Sequence, residues 1–459
     1  MTTAGTLPNS NIPGGEPAPA DARPGTLWLG FTKYQWLVLF AAWLGWGFDV
    51  FDGLLFNYVS SNCIPTLLHI PIGTPEAKKA TLEWTGTLTS ILLVGWALGG
   101  IMFGKVADRI GRSKTLLITM LLYAAGTAAC AFAPNIECLI AFRILASLGI
   151  GGEWAAGASM VAEVVPENRR VEGGALLYTA APFGLFLATF VNQSISTQFG
   201  STPEMSWRYV FLFGLIPAAV AFIVRSFVKE PERWKAKGKD VEAHLAELFS
   251  PAIRRATLSG FLMALVALIT WWSCNAFIPV VAKQLAAASP GFIGLTGKAA
   301  QKYQEHWVFI ATSAFNWGGL IGTLLTIPAA KFLGRRAMYF TYYALAACAL
   351  MLTFGLHIDG ATRLYGYFFI GLTIFGAFGS FTYYLPELFP TRLRATGAGF
   401  CYNIGRLLAA AGPTLVGSIA QQGDLNLVLH TMMRIGFVPL IGLLFLPFVI
   451  ETKGRKLQD

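Results

Sequence analysis

A succession of long apolar segments is the feature that most constrains how this chain folds. An α-helix needs about 20 apolar residues to cross the hydrocarbon core of a bilayer, where an unpaired backbone finds no water. Charged residues make up 13% of the chain, roughly half of the ~25% typical of soluble domains. The segments predict an all-α membrane protein with twelve transmembrane helices, near residues 34–57, 84–104, 115–134, 137–161, 173–196, 208–228, 257–282, 306–330, 337–356, 363–385, 395–417 and 430–450.

The distribution of lysine and arginine predicts how these helices cross the membrane. The loops on the side of both termini hold 23 of the 34 basic residues, and the opposite loops hold six. Because basic loops stay in the cytosol, both termini are expected there, in a plasma or bacterial inner membrane. The net charge of +10 follows from this topology, so the expected partner is the lipid bilayer and not a nucleic acid. An oligomer is not required.

Two short motifs occur twice at nearly the same offset. GKVADRIGR (104–112) returns in weaker form as IPAAKFLGR (327–335), and EVVPENRRVEGG (163–174) returns as ELFPTRLRATGA (387–398). Both lie between corresponding spans, which indicates a duplicated six-span unit with any binding site near mid-membrane between the halves. The predicted organisation is a cytosolic tail (1–33), a six-helix bundle (34–228), a cytosolic linker (229–256), a second six-helix bundle (257–450) and a cytosolic tail (451–459).

The loop GKVADRIGRSK (104–114), between spans 2 and 3, resembles the signature loop of the major facilitator superfamily. The resemblance extends from about residue 34 to Lys456. It implies the major facilitator fold, in which two pseudo-symmetric six-helix bundles rock around a central cavity. With the repeated loops, it also implies a cytosolic gate composed of Gly104, Asp108, Arg109, Gly111, Arg112, Glu163, Arg170, Glu387 and Arg394. In the repeat, Lys331 takes the place of Asp108, which predicts a degraded second latch.

Charged residues inside predicted spans are functional candidates, because a charge at the bilayer centre costs at least ~2.5 kcal/mol. Asp49 and Asp52 in span 1 share one helix face, which favours a proton on one of them. Arg143 in span 4 lies about 9 Å from the outer end of its span and Asp52 about 8 Å, at ~1.5 Å per residue. We expect an Asp52–Arg143 ion pair that couples to a proton, with Glu153 of span 4 as a further candidate. The alternative is that these charges only hold helices together.

Arg406 lies about 16 Å into span 11, near the midplane, and neither span 7 nor span 10 supplies an acid to neutralise it. A guanidinium group matches a carboxylate bidentately, so Arg406 is the candidate ligand for an organic anion. A salt bridge to Glu153 or to a helix C-terminus is the alternative. Trp272 either lines a cavity or faces lipid. The repeat offset applied to Asp52 leads to Asn275 of span 7, a neutral polar residue at a similar depth. The other candidate substrate-binding residues are Asn403, Tyr402, Asn275 and Trp272.

Three further motifs indicate a branch of the superfamily. DVFD (49–52), GIGGEW (149–154) and YNIGR (402–406) resemble motifs of aromatic-acid, sialate and lactate proton symporters. This resemblance implies symport of a small organic anion with a proton. Val50 stands where aromatic-acid members typically have glycine, which favours the sialate and monocarboxylate branch.

Three other functions are alternatives to an anion symporter. KEPERW (229–234) and IETKGRKL (450–457) resemble the tails of sugar porters, so a sugar or polyol proton symporter is the alternative. A transporter-like ligand sensor would need a signalling domain, for which the terminal segments are too short. An enzyme is not expected, since no HExxH motif or nucleophile elbow occurs. The six cysteines form no CxxC pair, so neither metal ligation nor a disulfide framework is indicated. No cofactor is expected.

Overall fold

The chain folds into rods of α-helix that follow the predicted spans in order. The computed structural model describes residues 28–110, 112–166, 169–199, 201–226, 245–390, 393–421 and 424–454. From the N-terminus the helices are Lys33–Leu67; Pro75–Ile110; Arg112–Cys130; Ile136–Val164; Arg170–Tyr178 and Ala180–Gln198; Pro203–Phe213 and Leu215–Ser226; Arg254–Asn275 and Ile278–Ala287; Gly297–Pro328; Arg335–Gly355; Gly360–Gly379 and Phe381–Glu387; Arg394–Ala409 and Ala411–Ala420; and Leu425–Arg434 and Phe437–Leu443.

Ten helical segments of the described chain are long and apolar enough to cross a membrane. They lie at the positions of all predicted spans except 4 and 11. Helices are present at those two positions as well, over Ile136–Val164 and over Arg394–Ala409 with Ala411–Ala420. An all-helical membrane protein is therefore confirmed, while the count of twelve spans stays a prediction. The exact domain boundaries also stay predictions, and most of the linker lies outside the described residues.

Local sequence explains where several helices begin. Thr32 caps the first helix in a reciprocal box with Gln35, which satisfies two backbone donors that the helix itself leaves unpaired. Asn135 and Asp359 accept hydrogen bonds from the first turns of spans 4 and 10. Span 8 begins at Gly297 and not near residue 306 as predicted. Its extra turns are polar but made mostly of good helix formers, and they turn Gln301 and Glu305 inward.

Close helix contacts repeat with the duplication. In the first half, a Cβ atom at Gly99 of span 2 would collide with the carbonyl of Leu148 in span 4. In the second half, a Cβ atom at Gly322 of span 8 would collide with the carbonyl of Leu372 in span 10. Gly99 and Gly322 are 223 residues apart, the offset of the first repeated motif. Small residues let helices approach closely in lipid, so the sequence repeat is also a packing repeat.

The two halves meet along two seams. Span 2 contacts span 11, where Ser90 and Thr414 share a hydrogen bond of 2.7 Å between their hydroxyl groups. Span 5 contacts span 8, where Asn316 Nδ2 donates to Thr189 Oγ1 at 3.3 Å. We call the end of the molecule near the signature loop the inner end and the opposite end the outer end. The functional candidates lie between these seams and inside the first half.

Candidate functional site

Asp52 lies in the interior of the first bundle and is 2% exposed. Its Oδ2 atom accepts a hydrogen bond of 2.6 Å from the hydroxyl of Thr127 in span 3. Its Oδ1 atom is buried and has no hydrogen-bond partner in the described part of the chain. That atom lies beside the break in span 6, where a Cβ at Gly214 would be 3.6 Å away. Asp49, one turn earlier, is also buried, at 3% exposure.

Arg143 meets Asp52, but not through the carboxylate as predicted. Its Nη2 atom donates to the backbone carbonyl of Gly53 at 2.7 Å, and Nη1 donates to the carbonyl of Asp52 at 3.4 Å. The guanidinium group also lies over the ring of Phe56, 5.7 Å from its centroid. Among the described contacts, a direct Asp52–Arg143 ion pair is absent, so that expectation is corrected. The similar depths of Asp52 and Arg143 correctly predicted that the two residues lie close together. The depths could not show that Arg143 binds backbone carbonyls of span 1.

Arg406 lies between the two halves and is 3% exposed. Its guanidinium group lies between two aromatic rings, 4.5 Å from the centroid of Trp96 in span 2 and 4.7 Å from that of Tyr402. Nη1 donates to Asn403 Oδ1 at 3.1 Å, while Nε is buried without a described partner. No described carboxylate forms a salt bridge with Arg406. The site therefore presents a buried cation with a hydrogen-bonding edge, which is the donor geometry that a carboxylate matches.

Aromatic side chains from both halves surround Arg406. Trp272 is buried and meets Trp96 across the halves at 5.7 Å between ring centroids, so it faces the protein interior and not lipid. Tyr178 of span 5 lies 6.3 Å from Phe375 of span 10, again across the halves. Trp96 and Tyr178 were missed by sequence reasoning, since aromatic residues are common throughout the spans and no motif marks these two. Two aromatic rings thus lie against the guanidinium group, and further aromatic pairs join the two halves.

Asn275, another predicted substrate-binding residue, ends the first helix of span 7 and is 6% exposed. Its Nδ2 atom has no described hydrogen-bond partner. Asn403 packs against span 2, because a Cβ at Gly100 would lie 3.1 Å from Asn403 Nδ2. Both amides are thus buried, but only Asn403 is joined to Arg406 by a described bond.

A short line of contacts connects the neighbourhoods of Asp52 and Arg406. Gly53 receives the hydrogen bond from Arg143 through its carbonyl. The same residue lies against Trp96, since a Cβ there would be 3.5 Å from the indole ring. Trp96 in turn covers the Arg406 guanidinium. A displacement of Arg143 relative to span 1 can therefore reach Arg406 through a single tryptophan.

The expected cytosolic gate is only partly described. Gly111 lies outside the described residues, as do the side-chain surroundings of Gly104, Asp108, Arg109, Arg112, Glu163 and Arg394. The same holds for the side chain of Glu153, the further proton-coupling candidate and the alternative partner of Arg406. Arg170 begins a helix of span 5. Glu387 binds Arg335 through both carboxylate oxygens at 2.9 and 3.1 Å, inside its own half.

Lys331 forms a cross-half contact at the inner end. Its Nζ atom lies 2.5 Å from Glu172 Oε1 in span 5. Lys331 occupies the position that corresponds to Asp108 in the first half, where the sequence predicted a degraded latch. The replacement carries the opposite charge and finds a partner across the seam, so this position still links the two halves.

A comparison with protein-family models now places this fold. The model described as Major Facilitator Superfamily matches residues 36–413. The chain belongs to the Major Facilitator Superfamily. It is therefore a multi-pass membrane transporter and not an enzyme. Its curated relatives are named as transporters or transport proteins, and the chain matches most of their length.

Three relatives show the range of those names. The chain is 27% identical to "Niacin transporter NiaP" of Acinetobacter baylyi, covering 93% of this chain and 96% of the relative. It is 26% identical to "Probable 4-methylmuconolactone transporter" of Cupriavidus pinatubonensis, covering 91% of each. It is 25% identical to "Sialic acid transporter NanX" of Escherichia coli, covering 92% and 95%. The resemblance to these branches is thus confirmed at the level of the family.

A solved structure supports the fold. The crystal structure of a D-xylose-proton symporter superposes with a TM-score of 0.71 at 19% identity, covering 93% of this chain and all of that one. At this identity the likeness concerns the architecture alone.

Proposed function

We propose that this transporter is a secondary active symporter that moves a small organic anion together with a proton. The observation that carries the proposal is Arg406, a buried guanidinium group at the meeting point of the halves without a described acidic partner. A buried charge is costly unless it is paired. A substrate carboxylate supplies the missing charge and accepts two hydrogen bonds from the guanidinium edge.

The aromatic residues around Arg406 favour a compact acid with a flat or apolar body. Trp96 and Tyr402 lie against the guanidinium group. Trp272 packs on Trp96, and Tyr178 packs on Phe375 of the other half. Aromatic faces pack against flat apolar groups, while the carboxylate stays on Arg406. The names of the relatives support an acid, since niacin and sialic acid both carry a carboxyl group. They leave the choice between an aromatic acid, a sialate and a monocarboxylate to experiment.

Asp52 is the proposed proton carrier. Its carboxylate is buried, holds one hydrogen bond from Thr127, and has an Oδ1 atom without a described partner. That free oxygen is where a proton can bind without displacing another contact. Asp49, on the same face of span 1, supplies the second carboxylate that disfavours double ionisation.

Coupling follows from the contacts that join the two neighbourhoods. When Asp52 is ionised, its charge holds the Arg143 guanidinium against span 1 at the carbonyls of Asp52 and Gly53. Protonation weakens that attraction and lets span 4 separate from span 1. Since Gly53 packs on Trp96, the change reaches Arg406 and the bound anion. Loading of both proton and anion then permits the halves to rock.

Uptake by purified protein in liposomes tests the proposal. The panel contains labelled nicotinate, lactate, sialic acid and glucose, each with and without an inward proton gradient. We expect one of the acids to accumulate, and more so with the gradient. Asp52→Asn is expected to abolish uphill accumulation while some exchange remains. Uptake of glucose alone would overturn the role of Arg406 and favour the sugar symporter.

A further inference from the structure

Glu305 is a buried carboxylate that the transport mechanism above does not use. It lies in the outer turns of span 8 and is 0% exposed. The sequence placed it in a loop, outside predicted span 8, so nothing marked it as a buried group. A fully buried carboxylate persists only where partners compensate for its lost hydration.

Three side chains provide that compensation. Lys283 Nζ, at the outer end of span 7, lies 2.7 Å from Glu305 Oε1. Gln301, one turn earlier in span 8, donates to the same oxygen at 2.7 Å. Asn192 of span 5 donates to Oε2 at 2.8 Å. Both carboxylate oxygens are thus occupied, and Lys283 is itself only 7% exposed.

The partners divide between the two halves of the transporter. Lys283 and Gln301 belong to the second half, whereas Asn192 belongs to the first. Asn192 is held in place by Ser196, whose hydroxyl donates to its Oδ1 atom at 3.2 Å. The same seam continues inward through Thr189 and Asn316. Opening of the outer end therefore separates Asn192 from Glu305, while the Lys283–Glu305 pair can stay together and become hydrated.

The geometry points to Glu305, Lys283 and Asn192 as an ionic lock that closes the outer gate of this transporter. In the closed state the buried ion pair is neutral and its carboxylate also binds across the seam. Removing the negative charge leaves Lys283 buried without a counter-ion, which is strongly unfavourable. When the outer gate is open, water hydrates Lys283 and relieves the cost of its unpaired charge. Loss of the negative charge of Glu305 therefore favours the open gate. This lock depends neither on the substrate nor on proton coupling.

The opening can be measured directly as a distance. Gln198→Cys and Lys298→Cys place spin labels on exposed positions at the outer ends of spans 5 and 8, in a background whose six cysteines are replaced. Glu305→Gln is expected to raise the ratio of long to short distances by at least tenfold in proteoliposomes without substrate. Asn192→Leu, which keeps the ion pair and removes only the cross-half donor, is expected to shift the ratio in the same direction by less.

Two neutralisations elsewhere serve as controls. Glu204→Gln is the same substitution at an exposed acid of the outer end, and Lys331→Met removes a charge from the inner cross-half pair. Neither is expected to lengthen the outer distance. Lys283→Met combined with Glu305→Gln leaves no charge in the lock, and the ratio should return toward that of the unaltered protein.

The outcomes separate clearly. Wild-type distances in both Glu305→Gln and Asn192→Leu would overturn the assignment. Equal opening in Glu305→Gln and in the double variant would overturn the role of the ion pair, because then the unpaired lysine is not the cause. If Glu305→Gln does not fold, Asn192→Leu and the double variant still decide. A failed uptake experiment would leave these distances unaffected, since they require neither an anion nor a proton gradient.

Discussion

Replacing Arg406 with lysine keeps the positive charge at the centre of the transporter and removes the planar fork. Lysine presents a single ammonium group and cannot bind both oxygens of a carboxylate in one plane. The loss of one charged hydrogen bond costs about 1.5 kcal/mol. Weaker stacking between Trp96 and Tyr402, which lie 4.5 and 4.7 Å from the guanidinium, adds about 0.5 kcal/mol. The total of about 2 kcal/mol corresponds to roughly 30-fold weaker binding.

The assay is equilibrium binding of the acid that the uptake panel identifies, measured on purified Arg406→Lys and on the unaltered protein. Arg208→Lys is the matched control, since Arg208 also lies over an indole ring, 4.2 Å from Trp207, and donates to the Ala131 carbonyl at the outer end. We expect its affinity to be unchanged. An unchanged Kd in Arg406→Lys would refute the reasoning, because a carboxylate held by the fork cannot be indifferent to its loss.

Three more predictions follow from particular contacts. Thr127→Val removes the hydroxyl that donates to ionised Asp52, so the pH of half-maximal gradient-driven uptake should rise by about one unit. Thr127→Ser keeps a hydroxyl and should keep the original pH profile. Identical pH profiles for the two variants would contradict this prediction. Gly99→Leu forces a side chain into the Leu148 carbonyl of span 4 and should lower the Tm in detergent by several degrees, whereas Gly73→Leu in an open outer loop should lower it less. Burial alone would raise the pKa of Glu451, but backbone N–H groups of Arg335, Lys453 and Arg336 hold it below its usual value. The stabilising effect of Glu451 is present above about pH 4.5 and lost as the pH falls further, so Glu451→Gln should lower the Tm at pH 7 but not at the lowest pH that the protein tolerates.

The general plan of the molecule could be predicted because the bilayer restricts what a sequence can do. A helix that crosses the bilayer must have about 20 mostly apolar residues, so the order of the helices along the chain is visible as a series of apolar segments. The duplication was visible because two loops kept their motifs at nearly the same offset. Asp52, Arg143 and Arg406 stood out for the same reason, since charges are expensive in lipid and therefore rare.

What the sequence could not supply is the rotation of each helix about its own axis. Span 1 is apolar on most of its surface, so no pattern shows that Asp52 faces Thr127 or that Gly53 faces Trp96. The target of Arg143 was also hidden, because backbone carbonyls are present at every position and only packing selects two of them.

The outer lock shows the same division most clearly. Glu305 and Lys283 looked like ordinary loop charges, and Asn192 lies 113 residues away from Glu305 along the chain. Asn192 meets Glu305 only because the two halves pack together along spans 5 and 8, and Lys283 meets Glu305 because spans 7 and 8 pack against each other inside the second half. The sequence by itself determined that the chain forms a series of apolar helices and that Asp52, Arg143 and Arg406 lie inside them. The tertiary structure alone decided which of those charges meet, because that depends on the packing of faces that are equally apolar in sequence.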